Sequence, residues 1–244
     1  MENTMTLDSN TTFWLWLGFI GMTIGTIVIL TFWKKFKPEH RYHVILALMV
    51  TTIAAAAYYS MANGQGVIEI GDKTVFFARY IDWILTTPFL LLSLIYVGLP
   101  AASDPEKKRQ QSWLIGSVIF ADIAMIATGA IANFSVTTQD KTVWFLASMA
   151  WFVVVLGLLF GQIRTQIKQD NPKNEKAYIS MLSFLLVLWV IYPVLWLLGE
   201  SGYSTISPTS EAAVYAVVDV TAKAVFGTVL LASLVKRKGA KVQI

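Results

Sequence analysis

The chain has 244 residues, 56% of them hydrophobic, 13% aromatic and only 14% charged, which is too apolar for a soluble domain of this length. With no cysteine, disulfides and cysteine-ligated metals are excluded, and with His40 and His43 as the two histidines no histidine-based metal or hydrolase centre is expected. The formal charge of +4 could suggest nucleic acid, but its distribution along the chain points to a membrane instead.

Runs of about 20 apolar residues, long enough to cross roughly 30 Å of hydrocarbon, fall near 12–33, 42–63, 76–98, 112–133, 143–163, 178–198 and 211–235. Ahead of the first run, "MENTMTLDSNTT" has no basic stretch, so that run is expected to stay in the membrane rather than be cleaved. The links are short, and residues 1–244 are expected to form one domain, an all-α bundle of seven transmembrane helices.

Fifteen of the 19 basic residues lie on one side, from Lys34, Lys35, Lys37 and Arg41 after the first run to Lys236, Arg237, Lys238 and Lys241 at the end. Lys73 and Lys141 alone lie on the other. The positive-inside rule then places the N-terminus outside and the C-terminus in the cytoplasm. His43, at the cytoplasmic mouth, reads as a solvated interfacial histidine, with help in proton uptake as the other reading. In the outer loop between helices two and three, "GVIEIGDKTVF" alternates around Gly71-Asp72 and predicts a small β-hairpin. Pro88 and Pro193 fall inside helices three and six, where each removes a backbone donor.

Two basic residues, Arg79 and Lys223, fall inside membrane segments. Arg79 and Asp82 are three apart on helix three, and Asp219 and Lys223 four apart on helix seven, so each pair shares a face. The four form a neutral set that could answer itself inside the bundle. One reading is an ion network that fixes helix register; the other is function, because apolar replacements would usually be as stable. A desolvated lysine can also form a Schiff base with an aldehyde. On helix six Trp189, Tyr192 and Trp196 share one face, with Trp83 on helix three and Tyr58 on helix two at similar depth.

"RYIDWILTTP", "WVIYPVLW" and "DVTAK", in that order, resemble the signatures of the microbial (type 1) rhodopsins, and the likeness covers all seven helices and the hairpin. The resemblance implies all-trans retinal bound covalently to Lys223 as a protonated Schiff base, Asp82 as counterion and proton acceptor, Asp219 as second counterion and Arg79 beneath them. It implies that Thr86 bonds the acceptor and Tyr58 the second counterion. It also implies a retinal pocket of Trp83, Thr87, Trp189, Tyr192, Pro193 and Trp196, with Leu90, Met125, Gly129, Phe145 and Ser148 at the ring end. Glu200 and Glu211 become candidates for proton release, against ordinary loop solubility, and Asp122 a structural carboxylate.

Within that family, Asp82, Thr86 and Ser93 argue against chloride and sodium pumps, and retention of Asp219 against inward pumps. The expectation is a light-driven outward proton pump, a transporter rather than an enzyme, in the plasma membrane among lipid. A homo-oligomer is expected and nucleic acid is not; a carotenoid antenna is not expected, because Phe145 stands where antenna-binding relatives carry glycine. Ser93 departs from the pumps that carry Asp or Glu there as proton donor. It lies 11 residues past Asp82, about 16 Å of rise, and reprotonation is expected to come from cytoplasmic water and to slow as pH rises. The same pocket would serve a sensory rhodopsin signalling through a partner protein, and a receptor for a diffusible ligand is the more distant alternative.

Overall fold

The computed structural model describes residues 5–71, 73–99 and 102–239. Seven helical spans are long and apolar enough to cross a membrane: α1 (Ser9–Lys35), α2 (Tyr42–Ala62), α3 (Phe77–Gly98), α4 (Pro105–Phe134), α5 (Thr138–Asp170), α6 (Pro172–Leu198) and α7 (Pro208–Arg237). Several start on cap chemistry. Asp8 accepts from the amides of Asn10 and Thr11, Asp104 from that of Lys107, and Ser207 from that of Ser210, with Pro105 and Pro208 at the first helical position. Those caps explain why α4 begins at Pro105 rather than near residue 112 as hydropathy alone predicts. The polar turn "PEKKRQQ" is helical but stands outside the apolar window.

Neighbours in sequence pack side by side, α1 also packs on α7, and α3 lies between α2, α4 and α6. The enclosure is uneven: 61% of the most apolar stretch of α3 and 56% of that of α7 are buried, against 22% for α4 and 17% for α5. Charged chemistry on α3 and α7 is therefore interior, whereas α4 and α5 turn Trp113, Phe120 and Val153 outward, as a lipid-facing surface requires.

Gly18, Gly21 and Gly25 put one bare stripe of α1 against its neighbours. A Cβ on Gly21 would lie 2.8 Å from Val220, and one on Gly25 would meet Ala224, 3.2 Å from its Cα. Small residues allow such backbone approach in membrane bundles.

The predicted hairpin forms from β1 (Ile68–Ile70) and β2 (Lys73–Val75), antiparallel, with Ile68 opposite Val75 and Ile70 opposite Lys73. Gly71 turns at φ +63°, as the tight connection demands; Asp72 lies outside the described residues. Three departures from regular helix follow. Pro193 denies the Trp189 carbonyl its usual donor, and α6 breaks at Val190. Leu158–Ile163 in α5 and Thr221–Val225 in α7 are π-helical, and the hydroxyl of Tyr178 on α6 donates to the Leu159 carbonyl inside the first of these, at 2.9 Å.

Candidate functional site

Lys223 lies within the π-helical turn of α7, and single-turn insertions of this kind gather at functional positions. Its side chain is 3% exposed, and its Nζ bonds Asp82 Oδ2 and lies 3.2 Å from Asp219 Oδ1. Desolvating one ammonium is tolerable only with such partners. The expected pairing of Asp219 with Lys223 is therefore present, and α3 supplies the second carboxylate.

The two carboxylates are held differently. Asp219 accepts three neutral hydrogen bonds from three other helices: Tyr58 Oη at 2.7 Å, Tyr192 Oη at 2.8 Å and Trp83 Nε1 at 3.3 Å. Asp82 accepts one neutral bond, from Thr86 Oγ1 one turn along its own helix at 3.2 Å.

Arg79 does not close the four-charge set as spacing suggests. Its Nη1 lies 3.8 Å from Glu211 Oε1, and its guanidinium covers the Tyr215 ring at 4.0 Å and the Phe76 ring at 5.0 Å. Glu211, 9% exposed, is thus no solubilising loop residue. Its Oε2 accepts from the Glu200 amide at 3.0 Å, while the Glu200 carboxylate accepts from the Thr74 amide of β2 at 3.2 Å. The two glutamates meet through backbone, and Glu200 ties the hairpin to the end of α6. Burial raises the Glu200 carboxyl above its ordinary range, the Thr74 amide opposing and the Glu211 charge adding to that rise.

From Lys223 a mostly apolar cavity runs between α3, α4, α5 and α6, as small-molecule sites between helices of bundles do. Every expected pocket residue except Tyr58 lines it: Trp83, Thr87 and Leu90; Met125 and Gly129; Phe145 and Ser148; Trp189, Tyr192, Pro193 and Trp196. Tyr58 stands behind Asp219 and donates to it, as expected of the tyrosine that bonds the second counterion. Phe145 and Trp196 stack at 4.5 Å, 19° from parallel. A Cβ on Gly129 would come within 3.2 Å of Ser148 Oγ, so glycine keeps that end open. Tyr80, Ile126, Met149, Phe152, Tyr215 and Ala222 also line the cavity and were missed. Tyr80 and Tyr215 carried a usable signal, standing three residues before Trp83 and four before Asp219. An apolar tunnel closed by one amine fits a long polyene aldehyde.

Two expected residues lie away from the cavity. Ser93 is 5% exposed and donates to the Phe89 carbonyl at 2.9 Å. Asp122 accepts from Thr87 Oγ1 at 2.6 Å. His43 corrects its solvated reading: it is 5% exposed, because the start of α2 is sealed by Phe36 and Tyr42, whose ring centroids lie 6.1 and 4.1 Å from its own. Among the described residues no group of three or more His, Cys, Asp or Glu could hold a metal ion.

Seven membrane helices around an apolar cavity that ends on a buried, twice-countered lysine define the architecture of a retinal protein. The chain belongs to the family described as bacteriorhodopsin-like protein, which matches residues 9–237, and is a microbial type 1 rhodopsin and a multi-pass membrane protein. It is 36% identical to a bacteriorhodopsin of Haloterrigena sp. (strain arg-4) over 90% of this chain and 86% of that one. Archaerhodopsin-1 of Halorubrum ezzemoulense is 35% identical over 91% and 84%. Among solved structures, the thermophilic rhodopsin from Rubrobacter xylanophilus superposes with TM-score 0.85 at 35% identity, over 91% of this chain and 95% of that one. The light-driven proton pump Coccomyxa subellipsoidea rhodopsin gives 0.82 at 30%, over 93% and 98%. Membership implies retinal bound to a lysine.

Proposed function

We propose that this chain is a light-driven outward proton pump that carries all-trans retinal on Lys223 as a protonated Schiff base, with Asp82 as proton acceptor. The observation that carries the reading is the unequal treatment of the two carboxylates around Lys223. Three neutral donors from α2, α3 and α6 satisfy the lone pairs of Asp219 as an anion. Asp82 has one neutral donor and a direct contact with Lys223 Nζ, so it is the carboxylate with room for a proton. The Coccomyxa structure is that of a light-driven proton pump, which supports the same reading.

When bound, retinal supplies the light-driven change that weakens the hold of the Lys223 nitrogen on its proton. Asp82 Oδ2, already in contact, receives that proton, and Thr86 keeps the carboxyl oriented. Neutralising this buried pair changes the field at Arg79, which already lies against Glu211, at whose side Glu200 and the hairpin close the outer end. The aromatic walls, Trp83 and Trp189 above all, exclude water and fix the direction in which Lys223 can reach. The basic loops face the cytoplasm on this reading, so transfer from Lys223 toward Asp82 and Glu211 is outward.

The test is light-driven pH change in a suspension of retinal-supplemented cells. Acidification of the medium that a protonophore abolishes is expected. Cells that absorb visible light yet leave the medium unchanged point to a sensory rhodopsin instead.

A further inference from the structure

On the pump reading above, we propose that His43 is the proton-uptake residue of the inner half-channel: its imidazole takes a proton from the cytoplasm and delivers it toward the Lys223 nitrogen. It does what the hydroxyl of Ser93 cannot do.

Position is the first argument. Tyr58, bonded to Asp219, marks the counterion level on α2, and His43 lies 15 residues before it on the same helix, about 22 Å of rise. On α3, Ser93 is 11 residues past Asp82, about 16 Å. His43 therefore lies about one turn nearer the cytoplasm than Ser93. Contact across the helices agrees: the Tyr42 ring lies 4.1 Å from His43 and 5.5 Å from Tyr96 of α3, three residues beyond Ser93 and on its face.

Elimination is the second. Among the described residues, the buried polar side chains on the inner side of the Lys223 level are those of His43, Thr51, Ser93 and Gln111. Hydroxyls and amides do not exchange a proton usefully near neutral pH; an imidazole, ordinarily near 6.5, does. Tyr178 is buried nearby, but it is a phenol engaged with the Leu159 carbonyl. Asp122 is engaged behind the cavity wall by Thr87. Between His43 and Lys223 the wall is apolar, with Leu90, Leu94, Phe226 and Leu230 buried, so a proton source inside the seal outperforms one outside it.

The Tyr42 phenol ring lies against the imidazole and itself touches the Tyr96 ring on α3; Arg41, the adjacent cation, turns its guanidinium onto Trp33 at 5.0 Å. Phe36, from the link before α2, covers the other side. In the step itself the imidazolium gives up one N–H proton, the Lys223 nitrogen gains it, and the neutral imidazole is reloaded from the cytoplasm. No other bond changes.

Flash photolysis of the retinal-loaded, purified full chain tests this, with wild type and His43→Phe compared from pH 5 to 9. The dark-state titration of the His43 imidazole is read independently by 15N NMR. In wild type, reprotonation of the Lys223 nitrogen should be flat below the NMR midpoint and fall above it. In His43→Phe it should be at least about tenfold slower at pH 6, proportional to proton concentration throughout, and restored by free imidazole. An unchanged visible band and an unchanged rate of proton loss show that the variant is folded. Wild-type reprotonation kinetics in His43→Phe overturn the assignment alone. A wild type whose Lys223 nitrogen never loses its proton in light overturns the pump reading and the assignment with it.

Discussion

Thr87 Oγ1 donates to Asp122 Oδ2 across 2.6 Å, joining the middle of α3 to the middle of α4 beside the cavity. Both side chains are buried, so the bond is made where water cannot replace it. Thr87→Ala leaves a buried carboxyl without that donor and should lower stability by about 1–3 kcal/mol. Asp122→Asn keeps an acceptor of the same shape and should lower it less. Thermal melts in detergent rank the two; equal losses would remove the bond as the reason.

Lys223→Ala should give a folded chain with no visible band after incubation with all-trans retinal, because no other buried amine reaches the cavity among the described residues. Asp82→Asn should keep a band and lose outward pumping at least about a hundredfold, the loss expected when a proton-transfer partner is removed. Absorption spectra and cell-suspension pH traces read both. Pumping that survives in Asp82→Asn transfers the acceptor assignment to another group.

The charged residues show what a sequence conveys well and badly. Lys223, Asp82 and Asp219 were legible because charge in hydrocarbon demands a partner and a purpose, and spacing already put Asp219 and Lys223 on one face of a single helix. Glu200 was not, since its acceptance from Thr74 depends on how a loop folds back, which no periodicity encodes. Arg79 was half legible: its depth was right, but its partner proved to be Glu211. His43 was misread because a histidine at a helix start looks solvated until the Phe36 segment is seen to cover it. The π-helical turns left no trace in the hydropathy pattern.

Glu200 gives a pH-dependent prediction. Burial raises its carboxyl in the folded state above the ordinary 4.5, so the native chain binds that proton more tightly than the unfolded one. Stability from this group is then full below the unfolded value and is lost as pH rises through the folded one. Glu200→Gln keeps an acceptor for the Thr74 amide and has no charge to bury. The melting temperature of the variant relative to wild type should therefore be higher at pH 7 than at pH 4. A difference that does not change with pH contradicts it.

Lys73 offers a second titration, at the hairpin. Burial, with the Lys141 charge added, lowers its amine to about 8; its Nζ donates to the carbonyls of Asn133 at 2.5 Å and Ser135 at 3.4 Å. Above that value the tie between β2 and the α4–α5 link becomes that of a neutral amine, which donates more weakly. Amide hydrogen exchange in residues 68–75 should quicken, beyond its intrinsic pH dependence, between pH 7 and 9, and Lys73→Met should show the faster exchange already at pH 7. Equal protection in both proteins across that range would sever Lys73 from hairpin order.

The bare stripe on α1 bears on all of this. No chemistry resides at Gly18, Gly21 or Gly25, yet Tyr58 rests against the first, and the segment of α7 that carries Asp219 and Lys223 rests against the other two. The first helix works as a mould, and the lateral seat of the lysine is set by side chains that are missing from a helix that touches neither carboxylate. A larger residue at Gly25 would press on Ala224, the neighbour of Lys223, and move the amine off its mark.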